Sequence, residues 1–102
     1  VSEIDGMTGE VVKWIRNHIP DKDRDPVNTA IKLSEEASEL THAIYTGDGS
    51  VADECADVLI LLLDIAYLRG VDLNAAFVKK MEVNRNREWR KVKGALKNAD
   101  AN

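Results

Sequence analysis

Glu35-Glu36-Ala37-Ser38-Glu39 and, after a spacer of fourteen residues (40–53), Glu54-Cys55-Ala56-Asp57 form a pattern from which the fold can be built outward. Both ends read as helix, and each carries two acids three residues apart. Positions i and i+3 are neighbours on a helix surface, so Glu36 projects with Glu39 and Glu54 with Asp57. Tyr45-Thr46-Gly47-Asp48-Gly49-Ser50 lies between them, a turn short enough to fold the two helices antiparallel and bring four carboxylates face to face. Unpaired, such a group repels itself and raises its own pKa values. A hard divalent cation removes that conflict, and ligands made only of oxygen suit Mg²⁺ or Mn²⁺ rather than Zn²⁺.

The flanking sequence supplies the boundaries of these helices. Pro20 to Pro26 is a charged loop, with Asp25 as N-cap and Pro26 at the first helical position. The helix then runs to about Thr46, with Ala30, Leu33, Ala37, Leu40 and Ile44 as its apolar stripe and Glu36 on its border. Gly47 terminates it. Ser50 with Asp53 resembles a cap for the next helix, which closes at Gly70. Val58 to Leu63 is apolar on every side and needs cover on every side. Asp53, Glu54, Asp57 and Asp64 fall within one arc of roughly 100° on this helix. Asp64 is either a partnered structural acid or an outer member of a metal site.

Two further helices complete the reading. Residues 1–19 carry an apolar face of Val11, Val12, Ile15 and Ile19. Trp14, four residues before His18, belongs either to the core or to a surface for a nucleobase. A last helix starts at Asp72 or Asn74 and places Leu73, Ala76, Phe77 and Met81 inward. The same face continues through Lys80, Asn84 and Arg87, a change from apolar to cationic that suits either a phosphate or a solvated helix end. Residues 91–102 read as a frayed helix or a disordered tail.

The bulk properties fit one domain, residues 1–102, with one core. A helical chain of this length often completes its burial by oligomerising. The fold class expected is all-α, a four- to five-helix antiparallel bundle. A net charge of −4 provides no overall basic footprint, so a nucleic-acid polymer is not an expected partner and an anionic substrate needs a bridging cation. The single cysteine, Cys55, excludes an internal disulfide, a zinc finger and CxxC chemistry, and is expected in the core. Neither a signal peptide nor a span long enough to cross a bilayer is visible, so a cytoplasmic location is expected. Glu39-Leu40-Thr41-His42 is a Glu-x-x-His, but di-iron bundles need that element twice, and the partner helix offers Glu54-x-x-Asp57.

Glu36-x-x-Glu39, the spacer and Glu54-x-x-Asp57 resemble the acid pattern of the MazG-like all-α nucleoside triphosphate pyrophosphohydrolases. Lys80-Met81-Glu82-Val83-Asn84-Arg85-Asn86-Arg87-Glu88-Trp89 is similar to that superfamily's C-terminal Lys/Asn/Arg motif. The resemblance covers about residues 8–90. It implies a homodimer or homotetramer (a dimer of dimers) and Mg²⁺, with Mn²⁺ as a substitute, on Glu36, Glu39, Glu54 and Asp57. It also implies the reaction NTP + water → NMP + pyrophosphate, in a house-cleaning role on surplus or noncanonical nucleotides. Within that chemistry Lys80, Asn84 and Arg87 bind the substrate phosphates and Trp14 stacks on the base. Glu35, beside Glu36 and Glu39, becomes one acceptor for the proton of the attacking water. A sister branch hydrolyses phosphoribosyl-ATP. The non-enzymatic alternative is a helical dimerisation or regulatory module whose acids are a solvated face.

Overall fold

The computed structural model describes residues 3–99. Helices α1 (Glu3–Arg16), α2 (Pro26–Thr46), α3 (Val51–Leu68) and α4 (Leu73–Arg85) are followed by strands β1 (Trp89–Val92) and β2 (Ala95–Asn98). A 3₁₀ turn, Asp21–Asp23, joins α1 to α2. Helix α3 is central, with α1 and α2 both packed on it. The all-α class is therefore as expected, with a small hairpin appended.

Local chemistry sets the ends of the two site helices. The Asp25 side chain accepts from the Val27 N–H at 2.9 Å, and Pro26 follows at a position that needs no donor. Gly47 stops α2 in the left-handed conformation, φ 75°, and donates its N–H to the Ala43 carbonyl. After the connection 47–50, the Ser50 hydroxyl accepts from the Asp53 N–H at 3.2 Å to open α3. Asp72 caps α4 through the Ala75 N–H.

The packing stripe of α2 differs from the expected one. Thr29, Glu36 and Ala43 are buried, with Leu33 and Leu40 half-buried between them, whereas Ala30, Ala37 and Ile44 are exposed. Spacings of four, three, four and three generate this face, so Glu36 lies on the packing stripe itself. Polar Thr29 and Glu36 on that face concealed it from a reading based on apolar residues alone. Cys55, expected in the core, is exposed.

Four other expectations are corrected. Helix α1 stops at Arg16 rather than continuing to 19, because Pro20 disfavours helical geometry just before it. Helix α4 ends at Arg85, so Arg87 lies beyond it. Its expected inner face is not covered within one chain: α4 has no buried residue, and Phe77 is exposed. Residues 91–98 belong to an antiparallel hairpin, not a frayed helix or tail. Trp89 pairs with Asn98 and Val92 with Ala95, around Lys93 and Gly94, both at positive φ. Residues 100–102 lie outside the described residues.

Asp64, the acid within the apolar run of α3, is a partnered structural acid. It is 1% exposed and pairs with Arg24, whose guanidinium also reaches the Thr29 hydroxyl at 3.4 Å. Nearby in the chain, Arg16 pairs with Asp21 at 2.8 Å, and Tyr67 donates to the same carboxylate. These contacts tie the 20–26 loop to α1 and α3. The buried apolar core is small: Val11, Val12, Ala43, Leu63 and Ala66.

Candidate active site

The turn at 47–50 brings the acids of α2 and α3 together. Oxygens of Glu36, Glu54 and Asp57 lie within 4.8 Å of one another. Glu36 is buried, Glu54 half-buried and Asp57 exposed, so the group runs from the helix–helix seam outward. Glu36 Oε2 and Glu54 Oε2 are buried without a hydrogen-bond partner. Buried polar atoms ordinarily find partners, and unpartnered carboxylate oxygens on two acids of one such group suit a cation. The donor set is all oxygen, which fits Mg²⁺ or Mn²⁺.

Glu39, expected as a fourth member, is exposed one turn further along α2 and lies outside this three-acid group, though its carboxylate contacts that of Glu36. Contact with the Glu36 carboxylate raises the Glu39 pKa through a shared hydrogen bond and like charge, and holds Glu36 below the usual carboxylate value. Burial raises the Glu54 pKa, and the charges of Glu39, Glu36 and Asp57 add to the shift. The raised Glu39 and Glu54 values carry the sign expected of crowded acids. Lys32, one turn before Glu36, places Nζ 3.3 Å from Glu36 Oε1 and 3.9 Å from Glu35 Oε2. Its own pKa is raised, chiefly by the hydrogen bond to Glu36. Glu35 is exposed and stands outside the three-acid group.

Two openings are lined in part by α3. A cavity of about 400 Å³ is lined by Glu39, Glu54, His42, Asp48 and Ser38, so exposed His42 borders the acids without joining the metal-type group. An apolar groove of about 380 Å³ lies between α1 and α3, lined by Met7, Val11, Trp14, Leu59 and Leu63, with Glu10 beside them. Trp14 is 58% exposed and meets His18 edge-on at 5.7 Å.

Among the described residues, no hydrogen bond or ion pair joins Lys80, Asn84 or Arg87 to Glu36, Glu39, Glu54 or Asp57. Lys80 and Arg87 are exposed, whereas Asn84 is half-buried with its Oδ1 unpartnered. The Asn84 carbonyl accepts from Trp89 Nε1 at 2.7 Å, fixing the hairpin to the end of α4. Lys32 and Arg24 were missed by sequence reasoning. The i,i+4 spacing of Lys32 and Glu36 was a usable signal; nothing local pointed Arg24 at Asp64.

A family profile described as the MazG nucleotide pyrophosphohydrolase domain matches residues 24–89. The dATP/dGTP diphosphohydrolase of Cyanophage S-2L is 40% identical over 92 residues, covering 89% of this chain and 83% of that protein. A dATP/dGTP diphosphohydrolase of Salmonella phage PMBT28 is 40% identical over 79 residues, 78% of this chain but 25% of that longer protein. Among solved structures, the Cyanophage S-2L MazG-like pyrophosphohydrolase, bound to dGDP and three catalytic Mn²⁺ ions per active site, matches with TM-score 0.80. It is 35% identical and covers 99% of this chain and 97% of its own.

Proposed function

Because this chain belongs to the MazG nucleotide pyrophosphohydrolase family, we propose that it hydrolyses nucleoside triphosphates to the monophosphate and pyrophosphate at its acid cluster, with purine deoxynucleotides, dATP and dGTP, as the preferred substrates. The single observation that carries the reading is the meeting of Glu36, Glu54 and Asp57 within 4.8 Å, with two buried oxygens unpartnered. The named substrates of the two phage relatives support the choice of nucleotide.

Glu36, Glu54 and Asp57, with Glu39 beside them, hold the metal in this account. Bound Mg²⁺, or Mn²⁺ in its place, supplies charge neutralisation for the triphosphate and orientation of a water towards the α-phosphorus. Glu35, adjacent to the ligands but outside their group, takes the water's proton on its carboxylate. Attack at the α-phosphorus breaks the bond to the bridging oxygen, and pyrophosphate leaves with that oxygen. Lys80 and Arg87 stabilise the charge that builds on the phosphate oxygens, and Asn84 donates from its amide. Trp14 offers the base a flat apolar surface at the edge of the α1–α3 groove.

The working form in this proposal is a homo-oligomer, a dimer or a dimer of dimers. Ile31, Ile44, Leu59, Leu62, Phe77 and Val78 are all exposed in one chain and offer apolar surface for a second copy to cover. A second copy both covers such residues and brings the Lys80, Asn84 and Arg87 set to acids that it does not touch in its own chain. The role that follows is removal of surplus or noncanonical deoxynucleotides.

Separation of products after incubation with each of the eight common NTPs and dNTPs, with Mg²⁺ and with chelator, tests the reading. Monophosphate and pyrophosphate in equal amounts, from dATP and dGTP first and only with metal, support it. Diphosphate with inorganic phosphate would place the cleavage elsewhere, and phosphoribosyl-ATP serves as the control for the sister activity.

A further inference from the structure

Lys32 is the one cation among the described residues that forms an ion pair with the acid cluster, and its partner is unusual. An ordinary i,i+4 Lys–Glu pair joins two solvated side chains and contributes little. Here the Lys32 side chain is 56% exposed, while that of Glu36 is 10% exposed, on the face that packs against α3. Nζ lies 3.3 Å from Glu36 Oε1, and the other oxygen of that carboxylate is buried without a partner. The ammonium also lies 3.9 Å from Glu35 Oε2. One side of the central acid is thus occupied by a built-in monovalent cation and the other is bare.

We propose that Lys32 is an internal counter-cation for the acid cluster: it holds Glu36 in the metal-free protein, opposes the loading of a divalent ion in the absence of nucleotide, and so couples metal loading to the arrival of a polyphosphate. The proposal rests on the reading of Glu36, Glu54 and Asp57 as metal ligands. A unit positive charge in contact with a metal ligand opposes a divalent ion by about tenfold in affinity, even with water-like screening. A triphosphate brings several negative charges to the same place and offsets that opposition. Lysine suits the part because its ammonium is a point charge on a long flexible stem, able to leave Glu36 for a phosphate oxygen. Lys32 acts through Glu36 and is therefore a positioning residue.

The test is Mn²⁺ binding to the full chain without nucleotide, read by the electron paramagnetic resonance signal of free Mn²⁺. Wild type is compared with Lys32→Met, Lys32→Gln, Lys32→Arg and, as control, Glu36→Gln, with folding checked by circular dichroism. Both neutral variants are expected to bind Mn²⁺ about tenfold more tightly than wild type, and Lys32→Arg close to wild type. With a non-hydrolysable dGTP analogue present, the gap between wild type and the neutral variants shrinks. A Lys that only staples the helix leaves Mn²⁺ affinity unchanged or weakens it on removal, and either result overturns the inference. If Glu36→Gln binds Mn²⁺ as wild type does, the metal-site reading has failed. If that control loses Mn²⁺ while the neutral Lys32 variants show no gain, only the counter-cation has failed.

Discussion

Asp64 in α3 is held by Arg24, forty residues earlier in the chain, in an ion pair whose two side chains are 2% and 11% exposed. The pair fixes the loop that precedes α2 onto the C-terminal third of α3. It therefore sets how α2, with Glu36 and Glu39, lies against Glu54 and Asp57. Asp64 serves the site through the frame that carries it.

Breaking that pair from one side leaves a buried charge without its partner. Asp64→Ala or Arg24→Ala is expected to lower stability by about 3–5 kcal/mol in urea unfolding. Arg24→Met with Asp64→Leu removes both charges and is expected to recover most of the loss. If a metal is bound through Asp64 instead, Asp64→Asn would cost Mn²⁺ affinity, which this account expects to be unchanged.

Metal is expected to stabilise the folded chain, because the acids proposed to hold it meet only when α2 and α3 are paired. Saturation with Mg²⁺ or Mn²⁺ is expected to raise the melting temperature, by the equivalent of about 2.7 kcal/mol when the ion is present at 100 times its Kd. In Glu36→Gln the increment largely disappears, as thermal denaturation with and without chelator will record.

Acid weakens a different contact. Asp21 is held down to about 2, below its usual 3.8, first by the hydrogen bond from Arg16 and then by that from Tyr67. A carboxylate with a depressed folded pKa stabilises the fold fully above its unfolded value and loses that contribution as pH falls through the folded one. Wild type is expected to be more stable than Asp21→Asn at pH 6, with the difference closing between about pH 4 and pH 2. Denaturant midpoints across that range measure it, and a constant difference would contradict it.

Trp14 is exposed enough to be changed without loss of the core. If a base stacks there, Trp14→Ala is expected to raise KM for dGTP about tenfold, with circular dichroism unchanged, since base–aromatic stacking contributes roughly 1–3 kcal/mol. An unchanged KM would move the base to another surface.

Most of the frame was legible because its signals are local. Asp25-Pro26, Gly47, Ser50 and Asp72 each act within a few residues of the helix end they define, and the structure uses them as expected. The meeting of Glu36, Glu54 and Asp57 was legible because helical periodicity and one short turn suffice to place it, whereas Glu39 stands outside that group. Arg24 was not, since a charged loop residue gives no sign of which helix it will meet. The hairpin was missed because Arg90, Lys91, Lys93 and Lys97 make its composition look like a solvated tail. The turn signal was there in Lys93-Gly94, with Trp89 and Val92 ahead of it and Leu96 after. The α2 stripe was rotated in the reading because its centre is Glu36, a residue whose burial follows from the site rather than from hydrophobicity.

Glu36, Glu39, Glu54 and Asp57 are proposed to carry metal-dependent cleavage of a nucleoside triphosphate. The most direct test is pyrophosphate release from dGTP by wild type and Glu39→Gln, each with Mg²⁺ and with chelator. Release by wild type only with Mg²⁺, falling by about 100-fold or more in Glu39→Gln, is the expected result, since even residues that merely support metal ligands cost roughly 10–100-fold. Pyrophosphate release that persists in chelator, or that Glu39→Gln performs at the wild-type rate, would contradict the account.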